Sequence, residues 1–115
     1  MDELKFSIGK YEVRFEQGGI RVLKGEKLLY FNARPVYVSV KTYGAVNVFR
    51  DTAYERVYGE DQSVIGEALF VTGNGSEIQV RDTYSVCENG MKIERSATVR
   101  KCAADDLGFQ TKISF

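Results

Sequence analysis

The chain has 115 residues, enough for one core and too few for two. Sixteen Lys and Arg balance sixteen Asp and Glu, and the signs interleave, which excludes the basic stripe that binding to nucleic acid or anionic lipid requires. Histidine is absent, and with it go the Ser-His and Cys-His nucleophile pairs, histidine-bearing zinc sites and the usual general base near neutral pH.

Alternation of apolar and polar residues with period two runs the length of the chain, and helical periodicity is nearly lost. Leu4, Phe6 and Ile8 alternate with Lys5 and Ser7. After Gly9-Lys10, Tyr11, Val13 and Phe15 alternate with Glu12, Arg14 and Glu16. Gly18-Gly19 predicts a turn before a short strand Ile20–Lys24, and Gly25-Glu26 another before Lys27–Phe31. Pro35 opens the run Val36–Val40, where a first strand residue can lack a ladder donor. Gly44 then precedes a strand Ala45–Phe49. Over Arg50–Asp61 the alternation breaks, which predicts a loop with one helical turn. Strands follow at about 62–72, 76–87, 91–102 and 107–115. The expectation is an all-β fold, an antiparallel β-sandwich built from a meander of about 8–9 strands.

Turn chemistry sets expected registers in the second half. Asn89-Gly90 is a two-residue hairpin signal, because both central residues of a type I′ turn need positive φ. Pairing Glu88 with Met91 sets Val86 against Ile93, Tyr84 against Arg95 and Val80 against Val99. Around Gly73-Asn74-Gly75, pairing Thr72 with Ser76 sets Phe70 against Ile78, Ala68 against Val80, Gly66 against Asp82, and Glu67 against Arg81. A loop over 102–106 would then bring Val99 against Phe109 and Ile93 against Phe115. One face collects Phe70, Ile78, Val80, Val86, Ile93, Val99, Phe109, Ile113 and Phe115, and a slip of one residue would turn all of them outward. Cys87 and Cys102 fall roughly 33 Å apart at about 3.3 Å per strand residue, which predicts two free thiols and a reducing, cytoplasmic setting. No apolar stretch approaches the roughly 20 residues that cross a bilayer.

Two groups stand out as candidate sites. Asp82, Tyr84 and Arg95 fall on the otherwise apolar face, where charges are costly unless paired. They read either as a structural Asp–Arg pair covered by Tyr84, with Gly66 leaving room, or as an anchor for a ligand inside the fold. Asp51, Tyr54, Arg56 and Tyr58 put two aromatic rings among charges on the expected loop, a composition suited to stacking on a sugar and accepting from its hydroxyls. The bland reading packs a tyrosine of that loop on the sheet as a lid. Asp105-Asp106 and Glu60-Asp61 read as turn residues, since neither has calcium-loop spacing. No catalytic residue, metal site or cofactor is predicted.

The run Val80-Arg81-Asp82-Thr83-Tyr84-Ser85-Val86, then Gly90 to Arg95, then Leu107-Gly108-Phe109 to Phe115, resembles the amino-terminal β-sandwich domain of bacterial carbohydrate-active enzymes, the galactose-mutarotase-like supersandwich. The likeness covers about the last third of the chain. It implies a non-catalytic module, structural in role and in contact with carbohydrate, packed on a downstream catalytic domain of glycoside-hydrolase type. Mutarotase chemistry does not carry over, because its histidine is missing, and family sandwiches are about twice as long. An end at Phe115 inside an apolar strand is the expected mark of a leading fragment, one module over 1–115. The residues also admit a self-contained up-and-down β-barrel gripping a small apolar carboxylate through Arg95 and Tyr84, and a plain interaction domain that dimerises through an open sheet edge.

Overall fold

The computed structural model describes residues 4–16, 19–42, 47–88 and 90–113, with side chains left aside at 42, 47–51 and 112–113. Gly18, Gly44, Ala45, Asn89 and Phe115, which the sequence reading used, lie outside the described residues. The fold is all-β and antiparallel, as alternation predicts. The described residues form eleven strands, where about eight or nine were expected: β1 Leu4–Ile8, β2 Tyr11–Glu16, β3 Gly19–Lys24, β4 Lys27–Asn32, β5 Val36–Thr42, β6 Asn47–Thr52, β7 Arg56–Glu60, β8 Ser63–Val71, β9 Glu77–Cys87, β10 Gly90–Lys101 and β11 Asp106–Ile113. They form sheets in the order β1-β2-β3-β4, β10-β9-β8-β7 and β11-β5-β6.

All three sheets contribute to one core, the interior of a β-sandwich. Val13, Phe15 and Ile20 come from the first sheet, Val36, Val38 and Val40 from the third, and Val64, Ala68, Phe70, Ile78, Val80 and Tyr84 from the second. Each set sits at alternate positions, as the pleat requires. Phe6 meets Phe15 edge to face at 5.8 Å, and Phe15 meets Tyr84 at 4.9 Å. The core therefore leads directly to the polar group within it.

The registers divide the expectations. Between β8 and β9 the pairing is the expected one: Phe70 with Ile78, Ala68 with Val80, Gly66 with Asp82, Glu67 with Arg81. Between β9 and β10 the pairing lies two residues from the expected register. Cys87 pairs with Gly90, so Arg95 opposes Asp82 and Ile93 opposes Tyr84. A shift of two keeps every side chain of β9 and β10 on its face, so Ile78, Val80 and Ile93 stay on the inner side. Val86 and Val99 belong to that set by parity, yet both are exposed: Val86 lies beside the hairpin turn, and Val99 lies on the edge strand, opposite the buried Ile78.

Two further expectations fail. Residues 50–61 form no loop with a helical turn: β6 and β7 occupy most of the segment, and only a short connection separates them. The final strand does not continue the meander either. Instead of setting Phe109 against Val99, β11 crosses to pair with β5, Phe109 opposite Val40 and Thr111 opposite Val38. A strand with alternating apolar residues fits any sheet edge, and the edge of β5 gives β11 a buried partner row. The open edge this leaves is β10, whose residues Ser96–Lys101 are all exposed.

Candidate functional site

Gly66 on β8 has no side chain above the sheet, and the ring of Tyr54 fills that space. A Cβ at Gly66 would stand 2.7 Å from three carbons of the ring. Tyr54 sits in the connection between β6 and β7, held in place where the Glu55 N–H donates to the Glu67 carbonyl at 2.8 Å. That anchor turns the ring inward, and Tyr54 is buried. The sequence left the tyrosines of this segment either to contact a sugar or to pack on the sheet as a lid, and put Asp82, Tyr84 and Arg95 in the interior; Tyr54 packs on the sheet. The structure brings Tyr54 into the second group.

Asp82 is fully buried, and the side chain of Arg95 is 6% exposed. Across the β9–β10 ladder, Arg95 donates through Nε to Asp82 Oδ1 at 2.6 Å and through Nη2 to Oδ2 at 2.5 Å. This bidentate fork is the geometry in which a guanidinium best offsets the cost of burying a carboxylate. Tyr54 Oη donates to Asp82 Oδ2, which uses its one proton. Tyr54 can then only accept from Tyr84, so the Tyr84 hydroxyl is the donor of the Tyr54–Tyr84 bond. The protons run in one direction, Tyr84 to Tyr54 to the carboxylate.

The remaining donors of Arg95 reach the third sheet. Nη1 donates to Thr111 Oγ1 at 3.0 Å and Nη2 to the Pro35 carbonyl at 3.2 Å, while Thr111 Oγ1 donates to the Tyr37 carbonyl at 2.6 Å. One guanidinium thus fastens β10 to β11 and to the entrance of β5. Burial raises the Tyr84 hydroxyl to about 12, with the Asp82 charge adding to the shift, and it raises Tyr54 further, helped by Tyr84 and Asp82. For Arg95, burial works against the charged form, but the hydrogen bonds and charge of Asp82 outweigh it and hold the pKa above its ordinary value. Both tyrosines stay neutral and Arg95 stays charged through the physiological range. Of the two readings open for this cluster, the structural pair describes what is seen, with Tyr54 in the covering role expected of Tyr84.

The other candidates of the 50–61 segment separate. Asp51 lies on β6, with its side chain outside the described residues. Arg56 is exposed on β7 and stacks over the Tyr58 ring at 4.5 Å, and Tyr58 Oη donates to Glu67 Oε1 at 2.6 Å. Arg81 lies between Glu60 at 3.4 Å and Glu67 at 3.9 Å, the latter being the expected cross-strand pair. These residues form a polar network on the outer face of the second sheet. Beside it is a depression of about 430 Å³. Glu60, Asp61, Ser63, Arg81, Thr83 and Glu94 line it, with Ile65 among them. Sequence reading missed this surface. Its signal was present, since every second residue of these strands faces away from the core, but nothing in the sequence says which polar face is concave.

A second buried carboxylate was also missed. Asp106 is 5% exposed and accepts from Thr72 Oγ1 at 2.7 Å, Asn74 Nδ2 at 2.9 Å and Ser76 Oγ at 2.5 Å. Those hydrogen bonds, that of Ser76 foremost, hold its pKa below the ordinary carboxylate value. Ser76 Oγ also accepts from the Ala103 N–H at 2.7 Å, so the turn between β8 and β9 is tied to the start of β11. In sequence Asp105-Asp106 reads as a turn, and no local pattern marks Asp106 as buried.

Cys87 and Cys102 are free and exposed. Among the described residues, no cluster of three or more Cys, Asp or Glu could hold a metal ion, and no helix is long and apolar enough to cross a membrane. No protein-family model, curated protein or solved structure matches the chain.

Proposed function

We propose that the chain is a non-catalytic β-sandwich module of a carbohydrate-active enzyme of the glycoside-hydrolase type, a structural support that also contacts carbohydrate. The observation that carries this reading is the depression on the outer face of β7 to β10. Its carboxylates accept from sugar hydroxyls, and Arg81, Ser63 and Thr83 donate. Arg56 and Tyr58 extend the same polar network beyond it. The likeness of 80–115 to the supersandwich domain supports the kinship, and two exposed free thiols suit a reducing, cytoplasmic setting.

The alternative of a barrel that grips a small apolar carboxylate finds less support. Arg95 and Tyr84, its expected grip, are engaged with Asp82, Thr111, Pro35 and Tyr54. A second reading, association of two copies by strand addition, is favoured by the open edge of β10.

A glycan array followed by calorimetry tests the proposal. Saturable binding of an oligosaccharide that is lost in Glu60→Ala/Arg81→Ala, with the fold retained, supports it; no binding at millimolar glycan, or binding indifferent to both residues, rejects it. Glycoside turnover that co-purifies with the chain and tracks Glu94 would overturn the non-catalytic role. Sedimentation at rising concentration reads the strand-addition alternative in the same samples.

A further inference from the structure

The turn between β8 and β9 carries an Asn-Gly step, Asn74-Gly75, tied to the carboxylate of Asp106. We propose that Asn74 is a site of spontaneous deamidation, and that its product unfastens this turn from the β10–β11 connection. In the reaction, the main-chain nitrogen of Gly75 attacks Cγ of Asn74. An N–C bond forms, the nitrogen gives up its proton, the Cγ–Nδ2 bond breaks and ammonia leaves. Water then adds to one carbonyl of the resulting succinimide and opens the ring to aspartate or isoaspartate. Water is the only co-reactant.

Two observations favour the reaction and a third sets its rate. Asn74 is exposed at the tip, so water reaches it. Gly75 has φ of +95° and carries no side chain, and the space where a Cβ would stand is clear of neighbours within 4 Å, so no side chain crowds the ring that must close through this residue. Both reacting groups are nonetheless restrained. Asn74 Nδ2 donates to Asp106 Oδ1 at 2.9 Å, and the Gly75 N–H donates to the Thr72 carbonyl at 3.0 Å. The first bond holds the amide that must rotate and leave; the second holds the nitrogen that must attack. The tether therefore slows the reaction that would destroy it.

The product acts on the tether directly. An aspartate at 74 has no proton to donate and sets a second negative charge against Asp106, where like charges repel. Asp106 keeps Thr72 and Ser76 but loses one of its three side-chain donors. The loosened part is the connection leading into β11, the strand that joins the second sheet to the third.

The test follows the peptides spanning residue 74 and residue 89 by mass during incubation of the folded chain in warm, mildly alkaline buffer, Asn89-Gly90 being the same dipeptide elsewhere in the chain. Asn74 should convert to acid, and Asp106→Ala should speed its conversion several-fold while leaving position 89 unchanged. Asn74→Asp, at an exposed tip, provides an arm that does not depend on how Asp106→Ala folds. It should lower Tm by several degrees and increase hydrogen exchange over residues 102–106. The proposal is overturned if Asn74 stays intact until the chain unfolds, or if Asn74→Asp melts and exchanges as the wild type does.

Discussion

Among the described residues two carboxylates are buried, Asp82 and Asp106, and by different means. Asp82 lies at the centre of the core under the bidentate guanidinium of Arg95, and the charges cancel in place. Asp106 lies at the periphery, where three neutral side chains, Thr72, Asn74 and Ser76, donate to it. The central site needs an opposite charge, because nothing weaker offsets desolvation that deep. At the edge, water is close and oriented dipoles suffice. The difference also assigns the sites their work. The Asp82 cluster joins sheets through a rigid fork, while the Asp106 tether joins a turn to a connection through groups that can let go.

Breaking the central pair should give the largest effect. Arg95→Ala leaves a buried carboxylate without its partner, and chemical denaturation should show a loss of about 3–5 kcal/mol. Replacing both residues, Asp82→Leu with Arg95→Met, should recover most of that loss. A single substitution that costs as little as an exposed pair, under about 1 kcal/mol, would mean that the two sites do not differ as described.

Tyr54→Phe comes next, because it removes a donor from Asp82 and the acceptor of Tyr84 together, at a cost of about 1–3 kcal/mol. Gly66→Ala probes the same ring by volume and should cost a similar about 1–3 kcal/mol through overpacking. If the alanine were accommodated freely, Tyr54 would not be seated over Gly66.

Acid sharpens the comparison on the other side. The folded pKa of Asp106 lies below its ordinary 3.8, so its contribution is complete above that value and is lost as pH falls through the folded pKa. In Asp106→Asn, acid unfolding followed by circular dichroism should show a shallower dependence on pH in that window. An unchanged acid limb would remove Asp106 from the account.

The smallest effect concerns alkali. With Tyr84 raised to about 12, its neutral form is favoured by folding, so this contribution holds below pH 10 and fades as pH rises through about 12. Tyrosinate absorbance should show a late-titrating group that Tyr84→Phe removes. If every tyrosine titrates together near pH 10 in the folded chain, the hydroxyl relay is wrong.

Much of this arrangement was readable beforehand, and its limits have physical causes. Period two alone put Asp82, Tyr84 and Arg95 on the inner face and said that charges there must pair. The β8–β9 register followed from the Thr72–Ser76 closure, and it holds residue for residue. Around Asn89-Gly90 the same reasoning missed by two, because closing the hairpin at Cys87 and Gly90 instead of Glu88 and Met91 keeps the same face inward and changes only which inward residues meet. That difference decided whether Arg95 opposed Tyr84 or Asp82. Tyr54 was left between a sugar contact and a lid on the sheet, because a tyrosine among charges carries no sign of direction; the vacancy over Gly66, distant in sequence, gives it one.

The sequence by itself determined the all-β class, the inward parity of each strand in the second half and the presence of a charge pair within the core, since these depend on alternation and desolvation within a few neighbouring residues. The tertiary structure alone decided that β11 leaves the meander for β5, that Tyr54 completes the Asp82 cluster and that Asp106 captures the Thr72–Ser76 turn. Each of those outcomes is a choice among partners far apart in the chain, and local pattern carries no preference between two sheet edges or two cavities that would accept the same side chains.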